Sequence, residues 1–318
     1  MSARPNKLFL GHLTLSLGLL GAAVTAQMPQ RLDPNNTDVM AGNQGTVKVF
    51  HVGPYTVPAA RQVGSLLIPG EWENTVTGPN HGDIWMTSFD PRLVDENKVP
   101  VEAHVQEGGS PYYLHHCVLY RTSSSEPSST CGSFGSERVI SSGGERAAMA
   151  LPNGYGYRIR PTDTWRVNIH MQNFTNQAKK LYLQYSMSYQ PASVQLTPIR
   201  QWWLDSETNC RTTYYVSPGS GLHVVSRDHT ARRDIHLVSL QPHMHCGGVK
   251  MELINKTTGQ LIATMNNTTC PVLMNSIILQ PPVVLPVGTT VTVRSTYERH
   301  PTKTWEAMGI LHAFGEIK

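Results

Sequence analysis

The chain has 318 residues, of which 39% are hydrophobic and only 15% charged, and its formal net charge at pH 7 is +4. It carries no basic block and no acidic tail, so nothing in it asks for nucleic acid or an anionic membrane as a partner. The length suffices for roughly two domains, each with its own core.

The first element reads as a secretory leader. Arg4 and Lys7 make a basic n-region, residues 8–23 a leucine-rich apolar stretch, and Val24-Thr25-Ala26 a small-residue cleavage site before Gln27. A membrane anchor is the competing reading. The run holds His12 and several glycines, however, and is short of the ~20 residues of a span. No second apolar stretch follows, so the expectation is a secreted protein without a membrane span. Sequons at Asn35, Asn173, Asn255, Asn266 and Asn267 agree with secretion, and each would mark a surface loop if glycosylated. The cysteines are Cys117, Cys131, Cys210, Cys246 and Cys270. In an oxidising compartment the simple expectation is two disulfides and a leftover thiol. Cys117 with Cys131 and Cys210 with Cys270 are pairings to test first. Cys246, beside His245, is open to three roles: thiol, disulfide partner or soft metal ligand.

Beyond the leader, short apolar runs recur between turn signals: residues 47–52, 101–105, 112–120, 165–171, 181–189, 235–240, 249–254 and 291–297. Alternation is clear in "KLYLQYSMSY" and "VTVRSTY", the period-2 pattern of half-buried strands, and no long 3.6-residue periodicity competes. The pattern predicts an all-β chain built of two jelly-roll or β-sandwich domains in tandem. Residues 123–130 ("SSSEPSST") and 141–144 read as exposed loops. Two prolines within residues 190–198 place a domain boundary there, giving units 27–193 and 194–318 after the leader at 1–26.

The chemistry-bearing residues come in three histidine groups closed by a methionine. His115 and His116 lie in "YYLHHCVLY", His170 in "WRVNIHMQN", His243 and His245 in "LQPHMHCGG", and Met308 in "TWEAMGILHAF". On an extended segment His243 and His245 point to one face and can reach one ion. Gly247 and Gly248 then permit a sharp exit. Adjacent strand residues face opposite ways, so His115 and His116 can share an ion only if the strand twists or bulges. Taken singly, His170 reads equally as a core histidine and Met308 as core filler. As a set they supply one three-imidazole site and one site of two imidazoles and a thioether. Imidazole suits several metals, whereas a thioether selects for soft Cu(I), so the combination points to two copper ions and redox chemistry on oxygen.

Four segments resemble, in order and spacing, the type II copper-dependent, ascorbate-reduced monooxygenases typified by peptidylglycine α-hydroxylating and dopamine β-monooxygenases. They are "LHHCVLY"; "LPNGYGYRI" with "WRVNIHMQN"; "QPHMHCGG"; and "STYERHPTKTWEAMGILHAF". A fuller likeness, over most of the mature length, is to the stress-up-regulated nodulin family, notably in "YLHHCVL" and "EAMGILHAF". The resemblance implies an electron-transfer copper on His115, His116 and His170. It implies a second copper on His243, His245 and Met308, where dioxygen attacks a substrate C–H bond. It further implies ascorbate or another one-electron reductant as co-substrate, and two β-sandwiches facing across a solvent-filled cleft.

The departures bear on substrate. The arginine that holds a peptide carboxylate in that family is Gln241 here, and the family's asparagine and tyrosine after the methionine are Ile310 and His312. Peptides ending in glycine are therefore not the expected substrate. His312 shares strand parity with Met308 and is a candidate substrate contact, with Gln241 beside it; a core histidine is the ordinary alternative. The expected function is a secreted copper monooxygenase acting on an unknown organic molecule and O2. A non-catalytic copper- or zinc-binding stress or cell-wall protein is the alternative, and a β-sandwich with incidental histidines the third reading.

Overall fold

The computed structural model describes residues 46–101, 111–129, 135–143, 149–207, 211–267, 274 and 276–318. The leader, Asn35, Cys131, Cys210 and Cys270 lie outside the described residues, as does most of the run at 101–105. Among the described residues every regular element is a strand, and none forms a helix long and apolar enough to cross a membrane.

The first half comprises β1 (Thr46–Val57), β2 (Arg61–Val63), β3 (Leu66–Ile68), β4 (Gly70–Thr77), β5 (Ile84–Met86), β6 (Ser88–Val94) and β7 (Tyr112–Arg121). It continues through β8 (Glu137–Ser142), β9 (Met149–Ala150), β10 (Tyr155–Ile159), β11 (Trp165–Asn173), β12 (Lys179–Pro191) and β13 (Thr197–Pro198). The second half holds β14 (Arg200–Asp205), β15 (Thr213–Val216), β16 (Leu222–Thr230), β17 (Ile235–Met244), β18 (Gly248–Asn255), β19 (Gln260–Asn266), β20 (Ile277–Leu285), β21 (Thr290–Glu298) and β22 (Trp305–Ile317).

Each half is a β-sandwich, as the alternation predicts. In the first, a sheet ordered β13-β10-β5-β12-β6-β9, with β1 also on β12, shares a core with the sheet β4-β11-β7-β8. In the second, β14-β22-β17-β20, with β15 on β22, shares a core with β16-β21-β18-β19. The chain changes sandwich at Ile199, between the parallel pair β10–β13 and the start of β14, a few residues past the boundary expected at 193/194.

Strand periodicity decides which face carries chemistry. On β11, Trp165, Val167, Ile169 and Met171 enter the core, so Asn168 and His170 project outward. On β22, Ala307, Leu311 and Ala313 enter the second core, which turns Met308, Ile310, His312 and Phe314 the other way. Phe314 joins the first sandwich's core, as does Val238 of β17. The outer face of β4-β11-β7-β8 is thus pressed against that of β14-β22-β17-β20.

Two expected loops turn out to be part of this junction. Ser128, within the serine-rich segment, is buried; its carbonyl accepts from Trp202 Nε1 at 3.0 Å and its hydroxyl accepts from Arg232 N at 3.0 Å. Ser141 and Ser142 close β8 and are buried too. Composition marks both segments as polar, but Ser128 and Ser141 bond partners across the junction instead of water.

The cysteines and sequons also depart from expectation. Cys117 is a buried thiol in the first core, which excludes its pairing with Cys131, and Cys246 is disulfide-bonded to a cysteine outside the described residues. Asn173 is 0% exposed. Its amide nitrogen donates to the carbonyls of Pro58 and Gln177, at 2.9 and 2.7 Å, so it is closed to glycosylation. Asn267 is likewise buried, donating to Gly248 O at 2.8 Å.

Two core histidines give the fold an acid limit. His81 bonds Tyr185 Oη at 2.7 Å, and burial, aided by Lys48, pushes its pKa down to about 4. His229 donates to Asp205 O at 2.7 Å, and burial pushes it down to about 4 as well. The unfolded chain binds these protons near pH 6.5, earlier than the folded one. Stability is therefore intact above roughly pH 6.5 and falls as pH drops toward 4, by roughly 2–3 kcal/mol per histidine. Urea unfolding at pH 7.5 and 4.5 is expected to show this loss, smaller in His81→Gln; equal free energies at both pH values would refute it.

Candidate metal centre

The first ligand set is assembled by a β-bulge. Along the β11–β7 ladder His170 faces His116, but the next residue, Met171, faces Leu114, so His115 is the extra residue. The bulge lets Leu114, Cys117 and Leu119 all reach the core while His115 and His116 turn outward together. His115, His116 and His170 each offer a ring nitrogen within 4.8 Å of the others. His115 Nδ1 and His116 Nδ1 are 3.1 Å apart. That is close to the ~3.3 Å edge made by two imidazoles at ~2.0 Å from one tetrahedral ion.

Ring orientations are fixed from behind. His116 Nε2 donates to Asn168 Oδ1 at 2.8 Å, and the Asn168 amide is itself set by donation to Thr75 Oγ1 at 3.1 Å. This leaves His116 Nδ1 turned toward His115, the outer support that metal-bound histidines require. His170 Nε2 is buried and has no hydrogen-bond partner among the described residues, the nearby Glu71 carboxylate standing 3.8 Å away, a need that a metal ion would meet. Burial first, then the facing rings of His116, His170, His245 and His243, hold His115 far below the ordinary imidazole range, at about 2. His116 is lowered by burial and by His170, against the opposing pull of Asn168 and Glu73. Both rings are therefore neutral at neutral pH, with lone pairs free for a metal.

The second set sits directly opposite. His243 is on β17 and His245 just beyond its end, with ring centroids 5.4 Å apart. The predicted sharp exit is present: Gly247 has φ +89°, and a Cβ there would lie 2.9 Å from Trp305 Nε1. His245 Nδ1 donates to Glu306 O at 3.2 Å, which points Nε2 outward as the ligand atom. Met308, on β22, lines a cavity of about 220 Å³ together with His243, His115, His116 and His312. The sets adjoin: the rings of His115 and His245 are 5.5 Å apart. In place of the solvent-filled cleft that the resemblance implies, the two sandwiches meet in one cluster of five imidazoles.

No protein-family model matches the chain, and no curated protein does. Among solved structures it is similar to the STIV MCP, at 9% identity and a TM-score of 0.37 over 85% of this chain and 97% of that one. It is also similar to the infectious bursal disease virus VP2 subviral particle, at 12% identity and a TM-score of 0.22 over 91% of this chain and 75% of that one. A third is the N-terminal CBM22-1-CBM22-2 tandem domain from Paenibacillus barcinonensis Xyn10C, at 12% identity and a TM-score of 0.16, over 85% and 92%. Scores this low carry no argument about function.

The two candidate substrate residues part company. His312 is buried on the cavity wall, its ring 3.0 Å from both Ser141 Oγ and Gln201 Nε2. Gln241 is buried opposite it in the β17–β22 ladder and does not line the cavity. A residue that the sequence does not single out, Tyr297, ties the second set together. Its hydroxyl accepts from His245 N at 2.9 Å and from Met308 N at 3.2 Å, and donates to Met308 O. One phenol thus holds the backbones of two ligands that lie 63 positions apart in "HMH" and "EAM". Burial raises its pKa well above the usual phenol value, so it stays protonated as that clamp requires. Only the fold reveals it, because a tyrosine ending an alternating strand carries no special signal.

Proposed function

We propose that the chain is a secreted copper-dependent monooxygenase-like protein, with one copper on His115, His116 and His170 and a second on His243, His245 and Met308. The observation that carries the reading is a thioether, Met308, sharing one cavity with His243 and with imidazoles of the other set. A donor set of imidazoles and one thioether suits Cu(I) and Cu(II) in turn. Copper there would supply one-electron redox chemistry and a site for dioxygen, with ascorbate or another one-electron donor as reductant. The chain's own contribution is to keep the His115 and His116 rings neutral, to aim His116 and His245 through Asn168 and the Glu306 carbonyl, and to hold Met308 through Tyr297. The resemblance to the ascorbate-reduced monooxygenases and to the stress-up-regulated nodulin family supports the same assignment. Secretion is supported by the leader and by the disulfide at Cys246.

Metal storage without turnover is the second reading, and the direct contact of the two sandwiches favours it, since it narrows access to the cluster. The two readings divide on Met308. Copper X-ray absorption of the Cu(I) protein is expected to show a sulfur scatterer that disappears in Met308→Ala, with ascorbate-driven oxygen consumption falling at least ~100-fold in that variant. Sulfur scattering without any oxygen consumption in the wild type would leave storage. An unchanged spectrum in Met308→Ala would remove the methionine from the ligand set.

A further inference from the structure

Away from the imidazoles, the 220 Å³ cavity has a second end that the metal reading does not use. Val118, Tyr120, Trp203 and Ile310 form its walls, and Ser141 and Ser142 its polar floor. The volume equals roughly seven waters at ~30 Å³ each, below the ~300–1,000 Å³ of pockets for drug-sized ligands. It has room for one ring and a short substituent.

At its serine end the lining offers no free counter-charge to a charged group. Arg138 is held by both carboxylate oxygens of Glu126, and its guanidinium stacks on Trp203 at 4.1 Å. Glu73 stands on the rim, its side chain 52% exposed, 3.4 Å from His116. An ion that passed Glu73 and reached the serine floor would lose its water without gaining a counter-charge there. What the floor does offer is hydrogen bonding. Gln201 Nε2 donates to His312 Nδ1 at 3.0 Å, so the ring proton sits on Nε2 and is donated to Ser141 Oγ at 3.0 Å. That leaves the Ser141 hydroxyl hydrogen for another acceptor. Beside it, Ser142 Oγ is buried, the residue 2% exposed, and has no hydrogen-bond partner among the described residues. Buried hydroxyls of this kind normally mark a missing ligand or water.

We propose that this cavity is the substrate pocket, and that it takes a small uncharged molecule of one aromatic ring bearing a single hydroxyl or carbonyl oxygen. The placement as a substrate pocket rests on the metal-centre reading; the ligand class rests on the walls. The oxygen bonds to Ser141 and Ser142, and the ring lies along Ile310 against Trp203, whose other neighbours are the Arg138 guanidinium and the edge of His312 at 4.8 Å. Met308 and His312 are four residues apart on one face of β22, ~13 Å of strand, so a ring anchored at the serines extends toward the thioether.

The test uses the full secreted chain loaded with Cu(I) under argon, where the d¹⁰ ion permits NMR and no turnover occurs. Benzyl alcohol, benzoate and benzylamine are titrated by saturation-transfer NMR and calorimetry, with copper content measured on the same samples. Benzyl alcohol is expected to bind at least tenfold more tightly than either ion. Ile310→Trp, which fills the cavity, is expected to reduce binding at least tenfold, and Ser142→Ala severalfold, with copper content unchanged. Binding of benzoate or benzylamine as tight as that of the alcohol overturns the ligand class. Alcohol binding untouched by both variants overturns the site. Full copper with no probe binding defeats the pocket alone, whereas probe binding by protein that takes up no copper defeats the metal reading alone.

Discussion

Replacing His243 and His245 together by alanine is expected to lower the copper content of secreted, copper-exposed protein from about two ions per chain to about one. The mirror variant, His115→Ala with His116→Ala, is expected to give the same count by emptying the other set. The basis is structural: one pair sits at the end of β17, the other on the bulged β7, and each sandwich has its own core. Loss of one pair therefore leaves the other scaffold folded. The 5.5 Å contact of His115 with His245 adds a second expectation. The remaining copper should be held more weakly than in the wild type, because a ring that packs against it is gone. Metal content by mass spectrometry, with a competing chelator at several concentrations, reads both numbers. Two coppers retained in either variant would defeat the ligand assignment. No copper in folded wild type would defeat the metal reading as a whole, leaving a β-sandwich protein of another purpose. Metal bound to the native state alone also stabilises it, so chelation is expected to lower the thermal midpoint of the wild type more than that of either variant.

Much of this centre is legible in the sequence because strand periodicity is simple. Alternation marks β12 and β21, a short apolar run marks β11, and parity along β22 is enough to link His312 to Met308. The requirement that His115 and His116 share an ion implies a twist or a bulge, and the ladder contains a bulge there. What stays hidden is everything set by contact between the halves. Ser128 and Ser141 have the composition of an exposed loop, yet they are buried because their partners, Trp202, Arg232 and His312, arrive from the other sandwich. Asn173 has the sequon of a surface loop, yet its amide closes a turn against Pro58 and Gln177. Cysteine pairing fails for the same reason. Cys117 has the parity of a core residue beyond the bulge, a fact that depends on the bulge and not on its distance from Cys131.

The junction should also be where stability is most sensitive to a single atom group. Glu137 opens β8, is 0% exposed, and pairs with Arg121 and Arg200 at 2.7 Å each. Arg121 belongs to the first sandwich and Arg200 begins the second, where it also donates to Ser124 Oγ and Ser125 O at 3.1 and 2.7 Å. The carboxylate is thus the charge on which two guanidinium groups from opposite halves converge. Asp163, 3.6 Å from Arg121, shares the task on the first-sandwich side. Glu137→Ala would take the carboxylate from Arg200 and leave Arg121 with Asp163 alone, and breaking a buried pair in this way costs about 3–5 kcal/mol. For a chain of this size that corresponds to a thermal midpoint lower by roughly 10 °C. Glu137→Gln, which keeps a hydrogen-bond acceptor but not the charge, is expected to fall between. Because Arg138 and Ser141 follow on the same strand, the benzyl alcohol affinity of the cavity should weaken in both variants even where copper is retained. A double-mutant cycle between Glu137→Ala and Arg200→Ala separates the junction from the first sandwich. Coupling of about 1 kcal/mol or more is expected if the halves dock as described. Coupling near zero, with the coupling between Glu137 and Arg121 intact, would mean that Arg200 is solvated and the two ligand sets stand apart in solution.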